Sequence, residues 1–122
     1  MGTSRSSKQA GEWTGGTLIF SGRPDPTWIV GQRTSRQLET LWAALPPWSG
    51  PVPSAPPLGY RGCFVRGPEM REWFAYGGVV TLKAGAPPES RQDKNRAFER
   101  LVLASAPRGV LPANGGYNLA KS

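Results

Sequence analysis

The chain has 122 residues, enough for one domain with a hydrophobic core of its own. Hydrophobic residues make up 38% of the sequence, which is too apolar for wholesale disorder, and no apolar run is long enough to span a membrane. The net charge of +7 is compatible with an acidic partner, either a protein or a nucleic acid. Because no basic residues form an adjacent run, the sequence favours the alternative, a basic composition without a dedicated partner.

The sequence lacks histidine and has one cysteine, Cys63. Histidine is the commonest general base and metal ligand, so its absence argues against most nucleophilic and metal-dependent mechanisms. One thiol and scattered carboxylates do not make a zinc site. We therefore expect no enzyme activity, no catalytic residue, no metal and no cofactor. A lone cysteine and no visible signal peptide predict the cytoplasm or another reducing compartment.

The first half of the chain is expected to begin with a flexible tail over residues 1–15. Short apolar runs bounded by glycine predict strands over residues 17–21 and 27–30. A proline-rich segment over residues 46–59 is typical of a stiff surface linker.

An amphipathic helix is the clearest prediction. Thr34 or Ser35 supplies the N-cap, with Gln37 placed for a capping box, and Pro46 and Pro47 end the helix. Four apolar residues recur at helical spacing and form one stripe, namely Leu38, Leu41, Trp42 and Leu45.

The second half contains three predicted strands, over residues 60–66, 71–76 and 77–83, followed by a second helix. That helix is expected to be capped by Ser90 and to end at Pro107. Its inner face carries Ala97, Phe98, Leu101, Val102 and Ser105.

These elements predict a small two-layer α+β domain over residues 16–108, with an irregular C-terminal tail over residues 109–122. A mainly antiparallel sheet of about four or five strands is expected to carry both amphipathic helices on one face.

The stretch "FSGRPDPTW", residues 20–28, is unusually stiff for one that holds charges and an aromatic ring. Pro24 and Pro26 fix their own φ and push Arg23 and Asp25 into extended conformations. In a structural interpretation Trp28 is core and the prolines lock a strand crossing. In a binding interpretation the loop projects from a sheet edge toward a partner.

Tyr60 and Arg61, which lie between two glycines in "LGYRGCFV", could join this loop in one cluster. The candidate binding residues are thus Arg23, Asp25, Trp28, Tyr60 and Arg61.

The order of these elements resembles a group of small uncharacterised proteins that share an SGRPxPxW element and a GYRG element. The resemblance covers residues 18 to about 103. It implies only that the two elements occur together, since the group carries no assigned activity.

Three functions remain open. The first is a non-enzymatic protein-binding or structural module, including a subunit of a larger assembly. The second is a basic RNA-binding protein, with tryptophans for base stacking. The third is a hydrolase that uses carboxylates such as Asp25, Glu69 and Glu72.

Overall fold

A computed structural model describes residues 12–19, 25–54, 60–85 and 87–111. In chain order its elements are β1 (Trp13–Thr17), β2 (Thr27–Val30), α1 (Gln32–Ala44), β3 (Cys63–Arg66), β4 (Glu72–Tyr76), β5 (Val79–Lys83), β6 (Glu89–Gln92), a 3-10 turn (Lys94–Arg96) and α2 (Ala97–Ala104).

The six strands form one sheet in the order β2-β1-β3-β4-β5-β6, and every neighbouring pair is antiparallel. Together with the two helices this confirms the predicted α+β class. The sheet has six strands, where about four or five were expected. β4 and β5 are joined by Gly77 and Gly78, which adopt φ of 63° and 90°, as a tight hairpin turn requires.

One face of the sheet carries the core. Trp13 stacks on Trp73 with ring centroids 5.0 Å apart, and Val65 is fully buried beside them. The same cluster includes Leu38 and Trp42 of α1 and Phe98 and Val102 of α2, so both helices cover this inner face. The predicted stripe of α1 is therefore the stripe that packs on the sheet.

α1 connects one edge of the sheet to the other. It starts one residue after β2, and the residues that follow it pair with β6 through a bridge between Pro47 and Arg91. Thirteen residues give a helix of about 20 Å, and five strand spacings amount to about 24 Å. The helix is thus long enough to cross the whole sheet with Gly31 and Leu45 as its flanking residues.

β1 lies earlier in the sequence than predicted, at residues 13–17 instead of 17–21. The glycine pair in its middle suggested a boundary, but each glycine makes room for a ring. A Cβ at Gly15 would lie 2.8 Å from Nε1 of Trp28, and one at Gly16 would lie 2.3 Å from Cζ of Phe64. The two rings cover opposite faces of the strand.

β6 was not predicted, because its sequence is polar throughout. Ser90 was expected to cap the second helix, but it lies in this strand and bonds Thr81 across the ladder at 2.9 Å. Asp93 caps α2 instead, since its carboxylate accepts the N–H groups of Phe98 and Glu99 at 2.8 and 3.1 Å.

The first helix also begins earlier than predicted. Gly31 is its N-cap and makes no side-chain hydrogen bond, so neither Thr34 nor Ser35 caps it. The hydroxyl of Ser35 donates instead to the carbonyl of Gln32 at 2.9 Å.

The domain limits stay predictions, although two observations bear on them. β1 begins at Trp13, inside the segment expected to be a tail, and Val110 and Leu111 pack against the core beyond residue 108. The remainder of both tails, residues 1–11 and 112–122, lies outside the described residues. None of the described helices has the length and apolar character needed to cross a bilayer.

We expect Gly16→Ala to lower the free energy of unfolding by about 1–3 kcal/mol, because the new methyl group would overlap the Phe64 ring. Chemical denaturation measures the change. The double variant Gly16→Ala/Phe64→Leu shortens the ring side chain and should recover part of the loss relative to Phe64→Leu alone. Strictly additive effects would contradict the proposed overlap.

Candidate functional site

The backbones of the two singled-out elements meet at the end of β1. The N–H of Leu18 donates to the carbonyl of Gly62 at 2.9 Å, and the N–H of Arg61 donates to the carbonyl of Leu18 at 2.7 Å. On the other side, Oδ1 of Asp25 accepts the N–H of Ile19 at 2.8 Å. Asp25 therefore closes the loop that precedes β2, while Arg23 lies outside the described residues.

Trp28 belongs to the core, where it is 5% exposed. Its ring lies over Gly15, and its Nε1 donates to Oγ of Ser105 at 2.8 Å. Ser105 in turn donates to the carbonyl of Val102 at 2.6 Å. Trp28 thus connects β2 to Ser105 at the end of α2. Because it is buried, it can affect binding only by fixing the position of β2.

Tyr60 points toward α2 and not along the loop. Its hydroxyl donates to Oε2 of Glu99, and its ring lies 6.1 Å from that of Tyr76. Its neighbour Arg61 is half-buried. The structure brings the backbones of the two elements together, but it directs Trp28 and Tyr60 to separate contacts in α2.

A buried acidic cluster surrounds Glu99, and it was missed by the sequence reasoning. Glu99 is 1% exposed, and its Oε1 has no hydrogen-bond partner among the residues that the structure describes. Sγ of Cys63 lies 3.7 Å from the main-chain carbonyl oxygen of Glu99. The carboxylate of Asp93, which accepts the N–H of Glu99, lies at the start of the same helix. A glutamate on the apolar face of a helix was the available signal, since such a side chain is rarely buried without a partner.

Burial raises the pKa values of this cluster. It raises the pKa of Glu99 above 4.5, and the hydrogen bond from Tyr60 offsets only part of that rise. Burial also raises the pKa of Tyr60 far above its ordinary value and that of the Cys63 thiol well above 9.0. A neutral, fully buried thiol is a poor nucleophile, so the cluster is suited to holding α2 on the sheet.

The outer edge of β2, unlike the buried cluster around Glu99, is exposed. The N–H of Thr17 donates to the carbonyl of Pro26 at 3.3 Å, so Pro26, Trp28 and Val30 direct their backbone groups toward β1. The backbone groups of Thr27 and Ile29 consequently point away from the sheet. None of the described residues pairs with them.

The side chain of Ile29 is 60% exposed, which is unusual for a large apolar residue. The alternation of "TWIV" shows in the sequence that Thr27 and Ile29 share a face. That β2 forms an edge depends on the order of strands, which the sequence pattern does not give.

The opposite edge of the sheet is covered. The N–H of Trp48 donates to the carbonyl of Ser90 at 3.0 Å, and the N–H of Gln92 donates to the carbonyl of Pro46 at 2.8 Å. The segment after α1 therefore satisfies the outer groups of β6. An open edge is a site for pairing with another chain, and within the described residues only β6 is protected from it.

The outward face of α1 is basic and polar. Gln32, Arg33, Arg36, Gln37, Thr40, Leu41 and Ala44 border a shallow depression of about 640 Å³ there. A single helix face is convex, so these residues form a surface and not an enclosed cleft. Arg33 and Arg36 are exposed near the start of the helix.

The carboxylates considered for hydrolysis do not converge. Glu72 pairs with Arg66 at 3.2 Å on the outer face, Glu69 is exposed in the turn before β4, and Asp25 closes its loop. Among the described residues, no group of three or more histidine, cysteine or acidic side chains could hold a metal ion.

Comparison with known proteins found no matching family model, no matching curated protein and no matching solved structure. The resemblance to proteins with the SGRPxPxW and GYRG elements stays a prediction.

We expect stability to fall as pH rises from about 4.5 through the raised pKa of Glu99, and then to level off. In this window the folded chain holds a proton that the unfolded chain has lost, so raising the pH favours unfolding. Asp93, whose pKa is also raised by burial, acts in the same direction.

Glu99→Gln removes this contribution while keeping an oxygen to accept the Tyr60 hydroxyl, so the pH dependence should become shallower. Denaturant unfolding at several pH values measures it. Glu69→Gln, which removes an exposed carboxylate, is the matched control. Equal slopes for the wild type and Glu99→Gln would contradict the assignment.

Proposed function

We propose that this chain is a non-enzymatic protein-binding module that captures an extended segment of a partner as a seventh strand beside β2. The observation that carries the proposal is that the backbone groups of Thr27 and Ile29 point away from the sheet. The side chain of Ile29 is exposed at the same edge. The same edge would serve equally well between subunits of a larger assembly.

The loop before β2 supports this edge. Asp25 holds the loop closed, and Trp28 anchors the strand in the core, so the edge is preorganised and loses little conformational entropy on binding. The main chains of Arg61 and Gly62 fix the other side of the same corner through their hydrogen bonds with Leu18. Arg23 and Arg61 are the two cations of the predicted cluster.

A nucleic-acid partner is the weaker alternative, because three of the eleven arginines and lysines in the described residues are already held in ion pairs. Arg66, Arg71 and Arg91 form ion pairs with Glu72, Glu39 and Glu89 at 3.2, 3.0 and 2.7 Å. Each of the three guanidinium groups also lies over an aromatic ring. These arginines are committed to internal contacts instead of phosphate groups.

We expect Ile29→Pro to abolish partner capture, since proline removes an outward N–H that β1 does not use. Ile29→Thr is the matched control: it keeps the N–H and the β-branched shape and should retain most of the binding. A pull-down from nuclease-treated lysate compares them, and thermal melts check that both are folded.

Thr27→Pro removes the other outward N–H and serves as a second variant if Ile29→Pro does not fold. Capture that persists in a folded proline variant would overturn strand addition. Capture that disappears with nuclease treatment would favour the nucleic-acid alternative.

The double substitution Arg23→Ala/Arg61→Ala tests the predicted cluster. We expect it to abolish partner capture and to shift the melting temperature by only a few degrees, because the main-chain hydrogen bond of Arg61 remains. The same pull-down and melts apply. A collapse of the fold would instead assign both arginines a structural role.

A further inference from the structure

β2 leads at Val30 directly into the start of α1, where Arg33 and Arg36 are exposed. This end of the edge indicates the direction and charge of a bound strand. All five ladders of the sheet are antiparallel, and antiparallel pairing is slightly the more stable arrangement, so a strand added beside β2 is expected to run antiparallel to it. The residues that precede that strand in the partner would then extend past Val30. There they would meet Gly31 and the first turn of α1.

The first backbone N–H groups of α1 lack capping partners among the described residues. Gly31 provides no side-chain cap, and the first turn contains no acidic residue. The first intrahelical bond is donated by Ser35 to the carbonyl of Gly31, so the preceding N–H groups of the turn have no partner within the helix. Carboxylates are favoured at such a position by both hydrogen bonding and the helix dipole.

Two cations lie at the same end. Arg33 and Arg36 are exposed, and no carboxylate of the described residues lies within ion-pair distance of either. Glu39, the one acidic residue of α1, is paired with Arg71 at 3.0 Å. Positive side chains beside the positive end of a helix are mutually unfavourable until an anion joins them.

The charge of the whole chain disfavours a second copy as the occupant of this edge. Each copy carries +7, so two edges pairing with each other would bring like charges together. An acidic segment has the complementary charge.

We propose that the segment bound beside β2 carries acidic residues immediately N-terminal to its strand, where they contact Arg33, Arg36 and the uncapped first turn of α1. This inference rests on strand addition at β2 and adds the chemistry and polarity of the partner.

The test uses three labelled peptides and the full chain, with binding followed by fluorescence polarisation. The first peptide has two glutamates before an alternating Thr-Val strand, the second has the glutamates after it, and the third has glutamines in the first arrangement. We expect the first to bind roughly fivefold more tightly than the others at low salt, with the difference shrinking as salt is added.

Arg33→Gln/Arg36→Gln should reduce the preference for the first peptide without weakening the glutamine peptide. Arg100→Gln, which removes an exposed cation from α2, is the matched control and should preserve the order. Gly31→Asp should raise the melting temperature by capping α1 internally and should reduce the preference for the first peptide.

The outcomes separate the two proposals. Three peptides that bind equally well, and lose binding together in Ile29→Pro, would overturn the acidic partner and leave strand addition intact. Tighter binding of the second peptide would overturn the antiparallel polarity. Binding of the first peptide that survives Ile29→Pro and Thr27→Pro but is lost in Arg33→Gln/Arg36→Gln would overturn strand addition.

Discussion

The structure depends on the absence of side chains at two adjacent positions of β1. Gly15 leaves room for the Trp28 ring on the inner face, and Gly16 leaves room for the Phe64 ring on the outer face. Because Trp28 is drawn into the core, β2 is fixed with Thr27 and Ile29 facing outward. A pair of glycines in a strand therefore determines which residues the sheet presents at its edge.

A second constraint lies on the inner face, where two side-chain hydrogen bonds hold α2 on the sheet. Trp28 bonds Ser105 at the end of the helix, and Tyr60 bonds Glu99 near its start. Burial raises the pKa of Glu99, and the hydrogen bond from Tyr60 offsets part of that rise. The grouping of tyrosine, glutamate and cysteine resembles catalytic machinery in composition only: the thiol is fully buried and burial raises its pKa.

The sequence predicted the features that repeat with a regular period. The stripe of Leu38, Trp42 and Leu45 follows from burial of one helix face, and the predicted strands over residues 60–66 and 71–76 contain β3 and β4, so the fold class was accessible. β6 was not, because it is held by its ladder to β5 and by the chain at Pro46 and Trp48, both non-local contacts. Gly16 was interpreted as a boundary, because the Phe64 ring that it accommodates lies on a strand distant in sequence.

The candidate site was predictable only in part, for the same reason. The stiff loop and the neighbouring Tyr60 and Arg61 stand out by composition, and the structure does bring their backbones to one corner. Whether a side chain there faces solvent or the core depends on strand order. Trp28 and Ile29 are adjacent in sequence and similar in hydrophobicity, yet one is 5% and the other 60% exposed.

A four-residue edge does not by itself select a partner. The outward groups of Thr27 and Ile29 allow up to four hydrogen bonds, each contributing about 0.5–1.5 kcal/mol net. Association costs at least about 4 kcal/mol in lost translational and rotational freedom, so backbone pairing alone would leave little net affinity. The charges at the end of β2 must contribute most of the remainder, with a smaller part from the Ile29 side chain. Because main-chain bonds are the same for every sequence, the charges near Arg33 and Arg36 are also where discrimination between partners has to arise.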